Sequence, residues 1–212
     1  PWNLPLYLLT WKIAPALATG NTVVAKPSEI TPMTAYLLSK ICKEINFPKG
    51  VLNIIHGRGE RLGDALTTHQ DVPIVSFTGG SDTGKHISKV TAPYFKKLSL
   101  ELGGKNPNII FDDCDFDKAV STASRAAFTN QGQICLCGSR VFVQNKIYEK
   151  FKSALVDKAK KLIVGDPKNS NSHLGAVVSE EHMNKILLKI NEAKKLGGIL
   201  PVSYTHLRAH ET

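Results

Sequence analysis

The chain has 212 residues, 42% of them hydrophobic and 21% charged, enough apolar material for a sizeable core. No run approaches the ~18 uninterrupted apolar residues of a membrane span, and the first stretch, broken by Pro5 and Pro15, lacks the basic lead of a signal peptide, so a cytoplasmic protein off the membrane is expected. The net charge of +9 suggests a polyanionic partner, but the lysine pairs Lys96-Lys97, Lys160-Lys161 and Lys194-Lys195 are dispersed over presumed helix faces, which speaks against nucleic-acid binding.

Regular alternation begins at residue 22. Short β-type runs over 22–26, 51–55, 74–78 and 98–100 alternate with amphipathic runs over 33–45, 60–68 and 81–91, a βαβαβαβ rhythm. Such crossovers are nearly always right-handed and build a parallel sheet whose ligand lies at the carboxyl ends of the strands. Pro27, Gly57, Gly79 and Gly103 each follow a strand end, where that site would be. A second series starts after Gly104: a strand over 108–111, a turn at Asp112-Asp113, a helix capped near Asp115 and reaching about Thr129, a strand over 140–144, and helices over 147–163 and 179–196. A domain boundary is therefore expected near Gly103-Gly104. Residues 201–212 break with everything before them and read as a non-native, adaptor-derived tail. His206, His210 and Glu211 lie there at helical spacing, but the glutamate is misplaced for His-Glu-x-x-His and no third ligand is evident, so no metal site is assigned.

Two glycine loops compete for a phosphate. Gly57-Arg58-Gly59-Glu60-Arg61-Leu62-Gly63 follows a strand and opens a helix, yet is one residue longer than Gly-x-Gly-x-x-Gly. Gly79-Gly80-Ser81-Asp82-Thr83-Gly84-Lys85-His86 narrowly misses the nucleotide triphosphate loop, with His86 where the Mg²⁺-binding hydroxyl belongs. A helix starting near Ser81 still offers free backbone N–H groups and a positive dipole end to a pyrophosphate. The same glycines would also serve a plain strand-to-helix turn.

The four cysteines, at 42, 114, 135 and 137, form no secreted-type framework. Cys135, in Asn130-Gln131-Gly132-Gln133-Ile134-Cys135, sits among small and amide residues and reads as a nucleophile, provided a second group manages protons and water. Glu101, heading Glu101-Leu102-Gly103-Gly104-Lys105, is the candidate base, and Asn3, in Pro1-Trp2-Asn3-Leu4-Pro5, a candidate donor to an oxyanion. Blander readings stand beside these. Cys135 and Cys137 could be buried thiols or a metal pair, Glu101 a solvated strand-end carboxylate, Asn3 an Asx-turn former, and Lys26 and Glu29 ordinary surface charges.

Pro1 to Pro5, Val23-Val24-Ala25-Lys26-Pro27-Ser28-Glu29, Ser76-Phe77-Thr78-Gly79-Gly80, Glu101 to Lys105 and Asn130 to Cys135 follow one another in the order, and at close to the spacing, of the NAD(P)-dependent aldehyde dehydrogenases. Over roughly residues 1–200 the chain resembles that family. The resemblance implies an α/β fold, with a Rossmann-like parallel sheet and the first part of a second α/β catalytic domain. Both would be incomplete, because the family's chains are more than twice as long, and an internal piece that is inactive alone is expected. Residues 1–102 become the later part of the cofactor-binding domain and 103–200 the first part of the catalytic domain, with Glu101 and Cys135 facing each other across the cleft between them.

The same resemblance implies roles. Cys135 attacks an aldehyde, Asn3 and the Cys135 N–H hold the oxyanion, hydride passes to NAD, and Glu101 deprotonates the water that hydrolyses the thioester; Cys137 becomes a packing residue. Cofactor contacts fall on Lys26, Glu29, Gly57, Gly59, Gly63, Thr78, Gly79, Gly80, Gly84 and Leu102. Glu29 against the ribose hydroxyls would repel a 2′-phosphate, so NAD is read over NADP. One departure is Gly80, which stands where many members carry a hydroxyl residue. The run Leu4 to Lys12 and the Phe77-Thr78-Gly79-Gly80 variant are most similar to the branch that oxidises a muconic semialdehyde, and the parent is expected to be a homo-oligomer. The rival readings are a P-loop-like nucleotide-binding module, against which His86 argues, and a non-catalytic structural relative, against which the intact Glu101 and Cys135 argue.

Overall fold

The computed structural model describes residues 1–202; His206, His210 and Glu211, with the rest of the tail from 203 onward, lie outside the described residues. The chain divides into two compact units, Pro1–Gly103 and Gly104 onward.

The first unit opens with a helix that the sequence rhythm does not announce, α1 (Pro5–Ala18). Pro5 stands at its start, where a missing N–H costs nothing, while Pro15 lies inside it. The helix ends in a Schellman arrangement. Gly20, at φ 79°, donates its N–H to the Leu17 carbonyl, and the Asn21 N–H reaches Ala16. Strands β1 (Val23–Ala25) and β2 (Leu52–Ile54) flank helix α2 (Met33–Glu44), and α1 packs on β1 and α2. Helix α3 (Gly59–Thr67) then leads to β3 (Ile74–Gly79), α4 (Ser81–Thr91) and β4 (Lys97–Leu102), with α4 lying on both strands.

All the strand pairs are parallel, as the crossover rhythm requires, but they do not form one sheet. Among the described residues β1 pairs with β2, from Val23 opposite Leu52 to Ala25 opposite Ile54, and β3 pairs with β4, from Ile74 opposite Lys97 to Gly79 opposite Leu102. The expected parallel strands are thus present in the first unit as two two-stranded pieces. The reason is that hydrophobic rhythm identifies strands, whereas the ladder depends on which backbone edges meet.

In the second unit β5 (Pro107–Ile110) pairs in parallel with β6 (Arg140–Val143) across helix α5 (Phe116–Phe128). Asp115 caps α5 by accepting from the Lys118 N–H at 3.2 Å. Helices α6 (Tyr148–Lys160) and α7 (Glu180–Lys195) follow, the latter capped by Ser179, which accepts from the His182 N–H. The core is here. Ile110, Val120, Ala123 and Phe151 form one buried cluster, with Val141, Val143 and Leu155 packed against it and the Phe116 ring edge-on to Phe151 at 6.0 Å.

Candidate active site

After α5 the backbone turns sharply. Asn130 (φ 52°) and Gln131 (φ 57°) both take the left-handed region ahead of Gly132 (φ 74°). Two successive non-glycine residues there cost on the order of 1–2 kcal/mol each, and such strain is found at sites where surrounding contacts hold a chosen geometry. Gln133 supplies one such contact, its Oε1 accepting from the Val178 N–H at 3.1 Å. A turn closed by the Cys137 N–H on the Ile134 carbonyl (3.1 Å) then presents Cys135.

The two thiols of this turn differ. Cys135 is exposed, while Cys137 is 8% exposed. Among the described residues no hydrogen bond uses the Cys135 N–H, which leaves that donor available to an oxyanion. The Cys135 carbonyl is held by the Asn106 amide at 2.6 Å, a contact that nothing in the sequence announces because the partners stand twenty-nine residues apart.

Glu101 and Asn3 belong to the first unit, Cys135 to the second. Glu101 is the penultimate residue of β4, exposed, and opposite Thr78 of β3. Lys12 of α1, to which the sequence reading gave no role, lies within electrostatic reach of it. Burial draws the Lys12 ammonium below its usual range, the Glu101 carboxylate acts against that shift, and Lys12 Nζ donates to Ser76 Oγ at 2.7 Å. A lysine on the face of an unannounced helix carries no signal of this. Asn3 is half-buried in the bend leading into α1.

The residues expected around the cofactor fall into two groups. Lys26 and Glu29, after β1, are tied to the loop after β2: Lys26 Nζ donates to the carbonyls of Pro27 and Gly57 and to Glu29 Oε2 (3.1 Å), and Glu29 Oε1 accepts from the Gly59 N–H at 3.3 Å. Glu29's own backbone N–H, chiefly, holds its carboxyl below the usual range, the Gly59 N–H and Lys26 adding to this against the opposing effect of burial. A depression of about 520 Å³ lined by His56, Gly57, Arg58, Arg61 and Leu62 lies alongside. Gly57 packs against Leu62 so closely that a Cβ would collide with it, whereas Gly63 faces open space.

The second group surrounds the start of α4. Gly79 pairs with Leu102, and a Cβ on Gly84 would lie 2.6 Å from the Leu102 side chain, so glycine is what lets α4 settle on β4. Gly80 is the N-cap and makes no side-chain cap bond. The two glycine loops that compete in the sequence are now distinguishable. At α3 a carboxylate already occupies the Gly59 N–H, while at α4 the first-turn N–H groups carry no side-chain cap and suit an anionic oxygen. His86 does not substitute for a metal-binding hydroxyl: its Nε2 meets Asp64 Oδ1 at 2.8 Å, clasping α4 to α3. Among the described residues no group of three metal-ligating side chains gathers, and no helix is long and apolar enough to cross a membrane.

Comparison with known proteins sets this arrangement in context. The 2-aminomuconic semialdehyde dehydrogenase of Danio rerio is 54% identical over 186 residues, covering 88% of this chain and 38% of that protein. Its Homo sapiens counterpart is 51% identical over 193 residues, covering 91% and 40%. Among solved structures, betaine aldehyde dehydrogenase from Staphylococcus aureus in complex with NAD+ superposes with a TM-score of 0.93 at 49% identity, over 95% of this chain and 40% of that one. The chain thus spans about 40% of the length of the curated relatives it matches. With the model of the aldehyde dehydrogenase family matching residues 1–210 and the motif residues standing on the loops just described, the chain belongs to the aldehyde dehydrogenase family.

Proposed function

We propose that the protein carrying this chain oxidises an aldehyde to a carboxylic acid at Cys135, with NAD as hydride acceptor and Glu101 as base. The observation that carries this reading is the contrast between an exposed Cys135 with an unused N–H and a buried Cys137 two residues on. In this reading the Cys135 thiolate adds to the aldehyde carbon, and the oxyanion is held by the Cys135 N–H and the Asn3 amide. NAD, when bound, supplies the hydride acceptor. The thioester then left on Cys135 is cleaved by water from which Glu101 takes a proton, releasing the acid and restoring the thiol group.

The residues present fit a dinucleotide. The uncapped start of α4 at Gly80 suits the pyrophosphate, with Thr78, Gly79, Gly84 and Leu102 shaping that turn, and the depression beside Gly57 and Gly59 suits the adenosine end. Glu29, anchored by Gly59 and Lys26, disfavours a 2′-phosphate. The substrate assigned by this proposal is a muconic semialdehyde, supported by the identity to the 2-aminomuconic semialdehyde dehydrogenases. The division of labour between a cofactor-binding unit and a catalytic unit, a cytoplasmic location and assembly into a homo-oligomer belong to the same proposal and rest on the family.

The deciding experiment compares two serine variants in the intact protein. Cys135→Ser is expected to lower NADH formation on the order of 10³-fold or more while NAD still binds, because a hydroxyl is scarcely ionised near neutral pH. Cys137→Ser should retain most activity. An active Cys135→Ser beside an inactive Cys137→Ser would sink the assignment.

A further inference from the structure

The segment that leads into β5 holds more than a strand start. Asn106 Nδ2 donates to the carbonyl of Cys135 at 2.6 Å and to that of Cys137 at 3.3 Å. A primary amide carries two N–H groups, so one side chain satisfies both acceptors at once. The other end of Asn106 is fixed in the sheet. Its own carbonyl accepts from the Arg140 N–H (3.1 Å), and the neighbouring Lys105 carbonyl accepts from Arg140 Nε (2.8 Å), at the point where β5 and β6 begin to pair. Asn106 therefore connects a laddered pair of strands to the two carbonyls that flank Leu136, itself 77% exposed and unable to anchor the turn by burial. Cys137 has further holds, through its N–H on Ile134 and through its carbonyl, which also accepts from the Ser139 N–H (2.9 Å), and Gly138 has one through its N–H on Ala126 (3.2 Å). For Cys135, among the described residues, the amide of Asn106 is the backbone's one hydrogen-bonded hold.

We infer that Asn106 is a positioning residue for the nucleophile: by gripping the carbonyls on either side of Leu136 it fixes the backbone torsion after Cys135 and with it the direction of the Cys135 thiol and N–H. This rests on the reading of Cys135 as the nucleophile. It adds a residue that lies outside the thiol, base and oxyanion set, in the segment just before β5, and acts through the backbone without touching the reacting atoms. The chemistry explains the residue type. Two carbonyl oxygens converge on the amide, that of Cys135 with Asn106 alone and that of Cys137 shared with the Ser139 N–H; aspartate would present an acceptor to both, and serine a single donor.

The test uses the intact protein with NAD and aldehyde. Asn106→Asp keeps the side-chain shape but turns both donors into acceptors, and is expected to lower kcat and the rate of iodoacetamide alkylation at Cys135 by about 10- to 100-fold, the scale on which small misplacements of a reacting group are felt. KM for NAD and Tm should stay near wild type. Asn106→Ser, with one donor, should recover part of both rates. A purely structural role would instead lower Tm and leave alkylation of the folded protein unchanged, and that result, or wild-type kcat in Asn106→Asp, overturns the inference. Should the aspartate variant fail to fold, the serine variant decides by the same two rates. Cys135→Ser run in parallel separates the two layers: if it still oxidises aldehyde the nucleophile reading falls and this inference with it, whereas an inert Cys135→Ser beside an unaffected Asn106 variant removes the inference alone.

Discussion

The two units of the chain bury their apolar residues differently. In the second, Ile110, Val120, Ala123 and Phe151 touch one another and draw in a ring of half-buried neighbours. In the first, the buried apolar residues Ile13, Ala25, Ala35, Val75 and Ile87 are spread over five elements and join no such cluster, while one side of α2 exposes Met33, Tyr36, Leu37 and Ile41. Both buried hydroxyls without a hydrogen-bond partner among the described residues, Thr34 and Thr67, also lie in the first unit. The candidate nucleophile stands on the unit with the continuous core, the candidate cofactor loops on the one without. Strain at Asn130 and Gln131 is sustainable where packing over-determines the backbone; the loops around Lys26, Glu29 and Gly59 are fixed instead by hydrogen bonds between strand ends.

The largest effect that would sharpen this contrast is on stability. Phe151, 1% exposed at the centre of the cluster, should cost about 3–5 kcal/mol on replacement by alanine. A fairer comparison is between residues of one type and similar burial, Ile110 in the cluster and Ile87 on α4, at 8% and 6% exposure. Each alanine variant falls within about 2–5 kcal/mol, with Ile110→Ala toward the upper end and Ile87→Ala toward the lower, since the cavity term grows with the number of fixed neighbours. Urea unfolding of both would show it. Equal losses would mean that the first unit packs as continuously as the second.

Smaller, and confined to chemistry, is the effect of Glu101→Gln. The rate of the first turnover should survive, because adding the thiolate and transferring hydride need no base once the thiolate exists, while steady turnover drops by roughly 10²-fold or more as thioester hydrolysis stalls. Rapid mixing would then record an NADH burst ahead of a slow phase. Equal losses in both phases would transfer Glu101 to thiol activation.

The smallest expected change concerns cofactor choice. Glu29→Gln removes the carboxylate but keeps an oxygen for the Gly59 N–H, and should narrow the NAD preference over NADP by about tenfold, measured as the ratio of kcat/KM values. A ratio that ignores the substitution would mean that Glu29 serves only to hold Lys26 and Gly59 in place, making this a structural clasp and not a specificity device.

What the sequence determined by itself was local or chemical. Strand and helix runs from residue 22 onward, the cap at Asp115 and the parallel pairing are encoded by periodicity and by side-chain hydrogen bonds within a few residues, and motifs supply the residue types of the proposed thiol, base and amide site. Tertiary structure alone decided the rest. It made α1 a helix despite Pro15, divided the strands of the first unit into two pairs, exposed Cys135 while burying Cys137, placed Lys12 near Glu101, and brought Asn106 to the carbonyls of the Cys135 turn. These outcomes share one physical cause. Each depends on contacts between residues far apart in the chain, whose free energy is set by which edges and faces meet and not by the local pattern that a sequence displays.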